Sequence, residues 1–441
     1  SIPEIRFAGY TEAWEQRKLG ELMEVTSVRR VHQDEWTTQG VRFLRARDLV
    51  AYANNTEIEL PLYISKELYE KYTAQSGKVE IGDLLVTGVG TIGVPWLVET
   101  PSPVYFKDGN IIWFKNIKKE VYPLYLLFFM KSPFFNQQIE YSLIGAVQKA
   151  LTIVMLSKIE ISLPSLATQR KIATVLSNID RKISVNRQIN RNLEELAKQI
   201  YDYWFVQFDF PNEDGKPYKS SGGKMVWDEL LKREIPAGWE VKCVSEVIES
   251  VERGISYTFD DIKNVNGIPM LNLACYDKSG EYRSGEFKFF SGKCSNKVYP
   301  FEMFIACTDM TQNADIIGRP IFAPTEFKEY VYSMDLAKIT PKSISKMYLY
   351  YTLRTSFYHR YIKPFASGTN VKHLNINGTE RYVISVPAKK EQEKFENTIT
   401  PIKEKQQNCL KEIQELTVLR DTLLPLLMNG QVTLNSCLSH D

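Results

Sequence analysis

Arginines crowd one short stretch of this chain: Arg42, Arg45 and Arg47 follow one another closely, with Gln39 just before them. Arginine's planar fork matches guanine O6 and N7, or a phosphate. On a strand, Arg45 and Arg47 would share a face and Arg42 would point the other way; a salt-bridged or solvated edge fits the same residues. Arg29, Arg30 and Arg253 are lesser candidates for the same chemistry. A second constellation is Gly145-Ala146-Val147-Gln148-Lys149, which recurs as Gly368-Thr369-Asn370-Val371-Lys372. The position-matched Lys149 and Lys372 suit phosphate contacts that ignore sequence. Gln148 and Asn370, not matched to each other, suit base edges that differ. A plain turn is the alternative.

Other candidates point to less. Gly88-Val89-Gly90-Thr91-Ile92-Gly93 has the spacing of a dinucleotide fingerprint after a predicted strand, but Val94-Pro95-Trp96 is a poor helix start. A tight turn, or a loop bringing backbone close to a phosphate, fits better. Its copy keeps Gly318, followed by Arg319, a further contact candidate. Glu326-Phe327-Lys328 could mimic a nuclease centre, but such triplets arise by chance on charged surfaces. The sequence has no Gly-x-x-x-x-Gly-Lys-Ser/Thr loop and no Asn-Pro-Pro-Tyr or Asp-Pro-Pro-Tyr segment. We therefore expect no catalytic residues, no metal site and no bound cofactor.

Composition narrows the class without naming it. The 441 residues carry a net charge of +2, so any basic footprint must be local. Six cysteines, none in a Cys-x-x-Cys pair, and four histidines argue against zinc or a disulfide framework. No apolar run reaches the ~18 residues of a membrane span, and the first residues carry no apolar signal region. A cytoplasmic protein is expected.

The elements that must position these residues come in two copies. Trp14-Glu15 recurs as Trp239-Glu240. Tyr125, Gly145, Lys149, Ser162, Pro164, Gln169 and Leu193 recur at one offset as Tyr348, Gly368, Lys372, Ser385, Pro387, Gln392 and Leu416. Strands are expected at Val41–Arg45, Asp83–Thr87 and Asn110–Phe114, with a closing strand over Ile159–Pro164. A helix is expected from Pro123 to about Tyr141, with a counterpart from Met347 to about Ile362.

After each head the period changes. Ile172, Leu176, Ile179, Ile183, Asn186, Asn190, Leu193, Ala197, Ile200 and Trp204 step by four and three, a heptad seam. From about Gln169 to Val206 such a helix would run roughly 57 Å. The second seam is Phe395, Ile399, Ile402, Gln406, Cys409, Ile413, Leu416, Arg420, Leu423 and Leu427. Stripes this long need a partner helix, and each copy is the other's obvious partner. Asn186, Asn190 and Gln406 either fix register inside the contact or lie outside it. Pro401 would delay the regular helix to about residue 402, and Pro425 would terminate or kink it. The expected fold is α+β: two mixed α/β heads on two long antiparallel coiled-coil helices, with a pseudo-two-fold repeat. The expected parts are 1–164 head one, 165–208 first helix, 209–235 connector, 236–387 head two, 388–430 second helix and 431–441 tail.

These features resemble the specificity subunit of type I restriction-modification systems. Pro164-Ser165-Leu166-Ala167-Thr168-Gln169-Arg170-Lys171-Ile172 is similar to that family's Pro-x-x-x-x-Gln-x-x-Ile segment and recurs from Pro387 to Phe395. Tyr203-Trp204-Phe205-Val206-Gln207-Phe208 and Leu423-Leu424-Pro425-Leu426-Leu427-Met428-Asn429-Gly430 are similar to the ends of its two long helices, and Ile2-Pro3-Glu4 to its opening. Thr168, where Glu often stands, and Phe395, in place of the first Ile, depart modestly. The resemblance implies that each head is a target recognition domain reading one half of a split DNA site. It implies two methyltransferase subunits and restriction-translocase subunits as partners, in a bacterial or archaeal cytoplasm. S-adenosylmethionine, ATP and Mg would sit on those partners.

Overall fold

The computed structural model describes residues 14–54, 58, 60–144, 150–263, 267–277, 280–283, 287–292 and 296–432. The chain falls into two compact units, Ser1–Lys182 with Leu416–Asp441, and Ile183–Glu415. Both long helices therefore contribute to both units.

In the first unit the strands Glu15–Lys18 and Glu160–Leu163 pair antiparallel and close the head. One four-stranded sheet orders Glu24–Thr26, Ile111–Lys115, Leu84–Thr87 and Pro95–Leu97. Another orders Trp36–Thr37, Leu62–Ile64, Val41–Leu44 and Val104–Phe106, its last pair parallel. The second unit repeats the plan. Glu240–Cys243 pairs with Val383–Val386. Ile248–Arg253, Leu336–Pro341, Met303–Ala306 and Pro320–Phe322 form one sheet; Ile262–Lys263, Lys288–Phe290, Ile268–Leu271 and Val331–Tyr332 form the other.

The repeated residues turn out to be framework. Gln169 Oε1 accepts from the backbone N–H of Tyr122, and Nε2 donates to the carbonyls of Glu120 and Pro164. Gln392 does likewise with the N–H of Ser345 and the carbonyl of Pro387. Both N–H groups belong to N-cap residues, of Pro123–Lys131 and Lys346–Arg354. A glutamine at the start of each long helix thus ties that helix to the cap of the head helix and satisfies the cap residue's N–H. Tyr125 donates to the Ser162 carbonyl, and Tyr348 to that of Ser385.

Several expectations are corrected. The expected helix from Pro123 is two, Pro123–Lys131 and Pro133–Ser142, because Ser132 before Pro133 is extended (φ −78°, ψ 156°). Its counterpart divides at the extended Thr355 into Lys346–Arg354 and Ser356–Ile362. Gly88–Gly93 links two antiparallel strands, Leu84–Thr87 and Pro95–Leu97, with Gly90 and Gly93 at positive φ; it is a hairpin turn, and no helix follows for a dinucleotide to cap. Pro401 does not delay the second helix, which runs unbroken over Lys389–Met428. Pro401 and Asn397, whose carbonyl it frees, are both exposed, so water can take the missing bond. Pro425 does not end the helix either; Met428 does, with Gly430 at φ 73° just beyond.

Candidate DNA interface

The two long helices hold the heads, and their geometry is explicit within each unit. The first helix runs Leu166–Tyr201 and continues as a π-helical turn, Asp202–Val206. Of the expected seam, Ile172, Leu176, Ile179, Ile183, Ile399 and Ile413 are buried, whereas Leu193, Ile200, Ile402, Leu416 and Leu423 are half-buried. In the second unit Asn186 Nδ2 donates to Glu412 Oε2 at 2.9 Å, and Gln406 Nε2 donates to the Asn190 carbonyl at 3.0 Å. The pairing is antiparallel, and these polar seam residues lie inside it. In the first unit Leu424, Leu427 and Met428 share a core with Ile172, Ala173 and Leu176.

The sequence reading missed the ion clusters that clamp the helices. Glu194 Oε2 accepts from Lys403 Nζ and Gln406 Nε2, and Oε1 lies 3.4 Å from Arg354 Nε on the head helix. Burial alone would raise the Glu194 pKa; the charges of Lys403 and Arg354 outweigh it and hold the carboxyl at about 2. In the first unit Asp180 meets Lys131 of the head at 3.5 Å and Arg420 at 3.2 Å, all half-exposed. Only Arg420, a cation in a seam position, hinted at this.

The contact candidates divide by how firmly they are already held. Arg45 is not on a strand. It is the N-cap of the helix Ala46–Ala53, bidentate to Asp48 at 2.7 and 2.9 Å and donating to the Leu60 carbonyl. The shared face with Arg47 is thereby corrected, because the strand ends at Leu44. Arg319 is largely buried, donating to the Arg354 carbonyl and to His359 Nδ1. His359 Nε2 then donates to the Ala314 carbonyl, and burial together with Arg319 lowers its pKa to about 4. Arg253 donates to the Leu374 carbonyl and stays exposed. Arg45 and Arg319 are held by structural partners.

Others are exposed, apart from the half-buried Arg42. Arg47 is 60% exposed, with Asp48 at 3.8 Å. Arg30 is 68% exposed and paired with Asp108 at 3.0 Å. Arg29 stacks on Tyr72 and donates to Gln75; Arg42 stacks on Tyr63 and donates to its hydroxyl. Val28 and Val31 share a small core with Val41, Phe43 and Tyr105, which brings Arg29, Arg30 and Arg42 to one sheet of the head. In the second head Gly368–Val371 is the tip of a hairpin between Ala366–Ser367 and Lys372–Leu374. Gly368 has φ +118°, and a Cβ there would strike the Val371 carbonyl. Lys372 Nζ folds back onto the Gly368 carbonyl, leaving Thr369 and Asn370 exposed. Gln148 and Lys149 lie outside the described residues.

Among the described residues no group of three or more His, Cys, Asp or Glu could hold a metal ion, and no helix is long and apolar enough to cross a membrane. Cys243, Cys275, Cys307 and Cys409 are free; burial pushes the Cys275 thiol up to about 11.

The fold thus defines a duplicated α+β head on paired long helices. The profile of the type I restriction modification DNA specificity domain matches residues 11–195 and 236–417, and the chain belongs to that family, whose members are non-catalytic specificity subunits. It is 26% identical over 355 residues to the type I restriction enzyme MjaIX specificity subunit of Methanocaldococcus jannaschii, covering 80% of this chain and 78% of that one. It is 26% identical over 334 residues to the HindI specificity subunit of Haemophilus influenzae, covering 64% and 71%. The crystal structure of a type I restriction-modification S subunit from M. genitalium shares the fold, with TM-score 0.57 at 14% identity, covering 97% of this chain and 99% of that one.

Proposed function

We propose that this specificity subunit reads a bipartite, asymmetric DNA site, one half-site per head, and that its helical pair sets the unread spacer. The observation that carries the reading is a shared frame with unshared readers. Val41–Leu44 and Ile268–Leu271 hold the same place in their sheets, but Arg42-Phe43-Leu44-Arg45 stands in one and Pro269-Met270-Leu271-Asn272 in the other. Among the candidates, Arg29, Arg30, Arg42, Arg47 and Asn370 are the side chains presented for contact, with Lys149 and Gln148 by sequence. Two methyltransferase subunits and restriction-translocase subunits dock on this chain and bring S-adenosylmethionine, ATP and Mg with them.

B-DNA repeats every ~34–36 Å, so one extra base pair rotates a half-site by about a tenth of a turn. Inserting one or two helical turns around Arg187 is expected to lengthen the spacer and leave both half-sites unchanged. Methylome sequencing of cells carrying the variant and its partners reads this; an unaltered spacer contradicts the ruler.

A further inference from the structure

The ion clusters treat the two long helices unequally. In each unit the carboxylate comes from the first helix and its helical cation from the second: Asp180 with Arg420, and Glu194 with Lys403. Each carboxylate also meets a head cation, Lys131 or Arg354. Those head cations are repeat counterparts, but the helix residues are not. The ungapped repeat that matches Gln169 with Gln392 and Leu193 with Leu416 also matches Asp180 with Lys403, Glu194 with Thr417, and Ala197 with Arg420. At one and the same repeat position the first helix carries an acid and the second a base.

That arrangement has a consequence for pairing. Replace the second helix by another copy of the first, in the same antiparallel register. The place of Lys403 opposite Glu194 is then taken by Asp180, setting carboxylate against carboxylate, twice by symmetry. Replace the first helix by another copy of the second. The place of Asp180 opposite Arg420 is then taken by Lys403, setting cation against cation, again twice. Like charges at a half-buried helix contact are repulsive, and the partly desolvated site screens them poorly.

We propose that the helices are charge-coded: each fits the other helix of this chain and rejects a second copy of itself. A repeat protein whose two stalks share one heptad pattern would otherwise be open to pairing of like halves, giving two identical heads in one particle. The code commits every particle to one head of each kind. Pairing involves only the helices and is independent of what the heads read; its meaning for an asymmetric DNA site rests on the function proposed above.

The test uses the full chain with a protease site inserted at the exposed Asp214–Gly215 turn. The protein is cleaved after folding, and the two pieces are equilibrated by warming below the unfolding transition. Native mass spectrometry then separates mixed pairs from like pairs. Wild type is expected to keep mixed pairs in large excess over like pairs. Asp180→Arg with Arg420→Asp retains attraction between the two helices, although the new arginine also faces Lys131 of the head, and it puts an arginine opposite Glu194 in first-helix pairs and an aspartate opposite Lys403 in second-helix pairs. It is expected to raise the like-pair fraction roughly tenfold, the factor that ~1.4 kcal/mol represents. Asp180→Asn with Arg420→Gln, which removes the repulsion without adding charge, should raise it as well and serves if the first variant fails to fold. Scrambling of the wild type into like pairs overturns the code. So does the absence of any rise in the folded variants. Neither result bears on DNA reading, which the methylome reports separately.

Discussion

The two places where a long helix meets a head solve one problem with different chemistry. In the second unit the end of the first helix supplies Tyr201, Trp204 and Phe205. Phe205 lies 4.7 Å from Tyr348 and 4.9 Å from Phe395, ring to ring, and the Tyr201 hydroxyl bonds Thr352 at 3.0 Å. The π-helical turn over Asp202–Val206 lets these rings enter the core. In the first unit the end of the second helix supplies Leu424, Leu427 and Met428 to a core holding Tyr125, Phe128 and Phe129. The ion clusters differ in the same direction: Glu194 and Lys403 are 15% and 6% exposed, Asp180 and Arg420 28% and 30%. One junction is aromatic and its ions are mostly buried; the other is aliphatic on the helix side and its ions are half-exposed. The repeat keeps the joint, meaning the glutamine, the tyrosine and the closing strand, and lets the filling diverge.

The comparison breaks most visibly at the ion clusters. Glu194→Ala leaves Lys403 buried without a counter-charge and is expected to cost about 3–5 kcal/mol. Asp180→Ala, in the wetter cluster, should cost about 0–1 kcal/mol. Urea unfolding of both variants measures this, and equal losses would erase the distinction. Replacing both partners, Glu194→Leu with Lys403→Met, should recover most of the loss, because no buried charge remains. The shared joint predicts the opposite pattern. Gln169→Ala and Gln392→Ala each strand a buried N–H and should each cost about 1–3 kcal/mol. Unequal losses there would mean that the joint is not one device used twice. Tyr201→Phe removes only the hydroxyl facing Thr352 and should cost about 1 kcal/mol.

A further effect is one of pH. His359 titrates at about 4 in the folded chain against an ordinary 6.5, because burial and Arg319 disfavour its charge. A depressed pKa means that the unfolded chain binds the proton first. The stability tied to His359 is therefore complete above pH 6.5 and is lost as the pH falls from 6.5 towards 4. Asn136 stands at the matching place of the first head. Urea midpoints at pH 7, 5 and 4 should fall less for His359→Asn than for wild type.

How much of this was legible in the sequence depended on the range of the interaction. The heptad seams were readable because Ile172, Leu176, Ile179 and Ile183 follow a local period that survives folding. The repeat was readable because it needs only counting. The break at Ser132-Pro133 was written in the chain, since proline restricts the residue before it, but the apolar run around it read as continuous. Arg45 misled because a cap and a strand end look alike in sequence; only Asp48, three residues on, marked the helix start. The ion clusters were out of reach. Glu194 and Lys403 meet only once the antiparallel register is known, and register is a tertiary fact. Of the contact candidates, the sequence showed which arginines exist but not that Arg45 and Arg319 are already held by carboxylate and carbonyl partners.

The central claim is that the frame is common to both heads and the reading is not. Its most direct test is to exchange residues 1–164 for the corresponding head of another specificity subunit and map DNA methylation in cells with the partner subunits. The account predicts that one half of the methylated sequence changes while the other half and the spacer stay as they were. Change in both halves, or in neither, would contradict it.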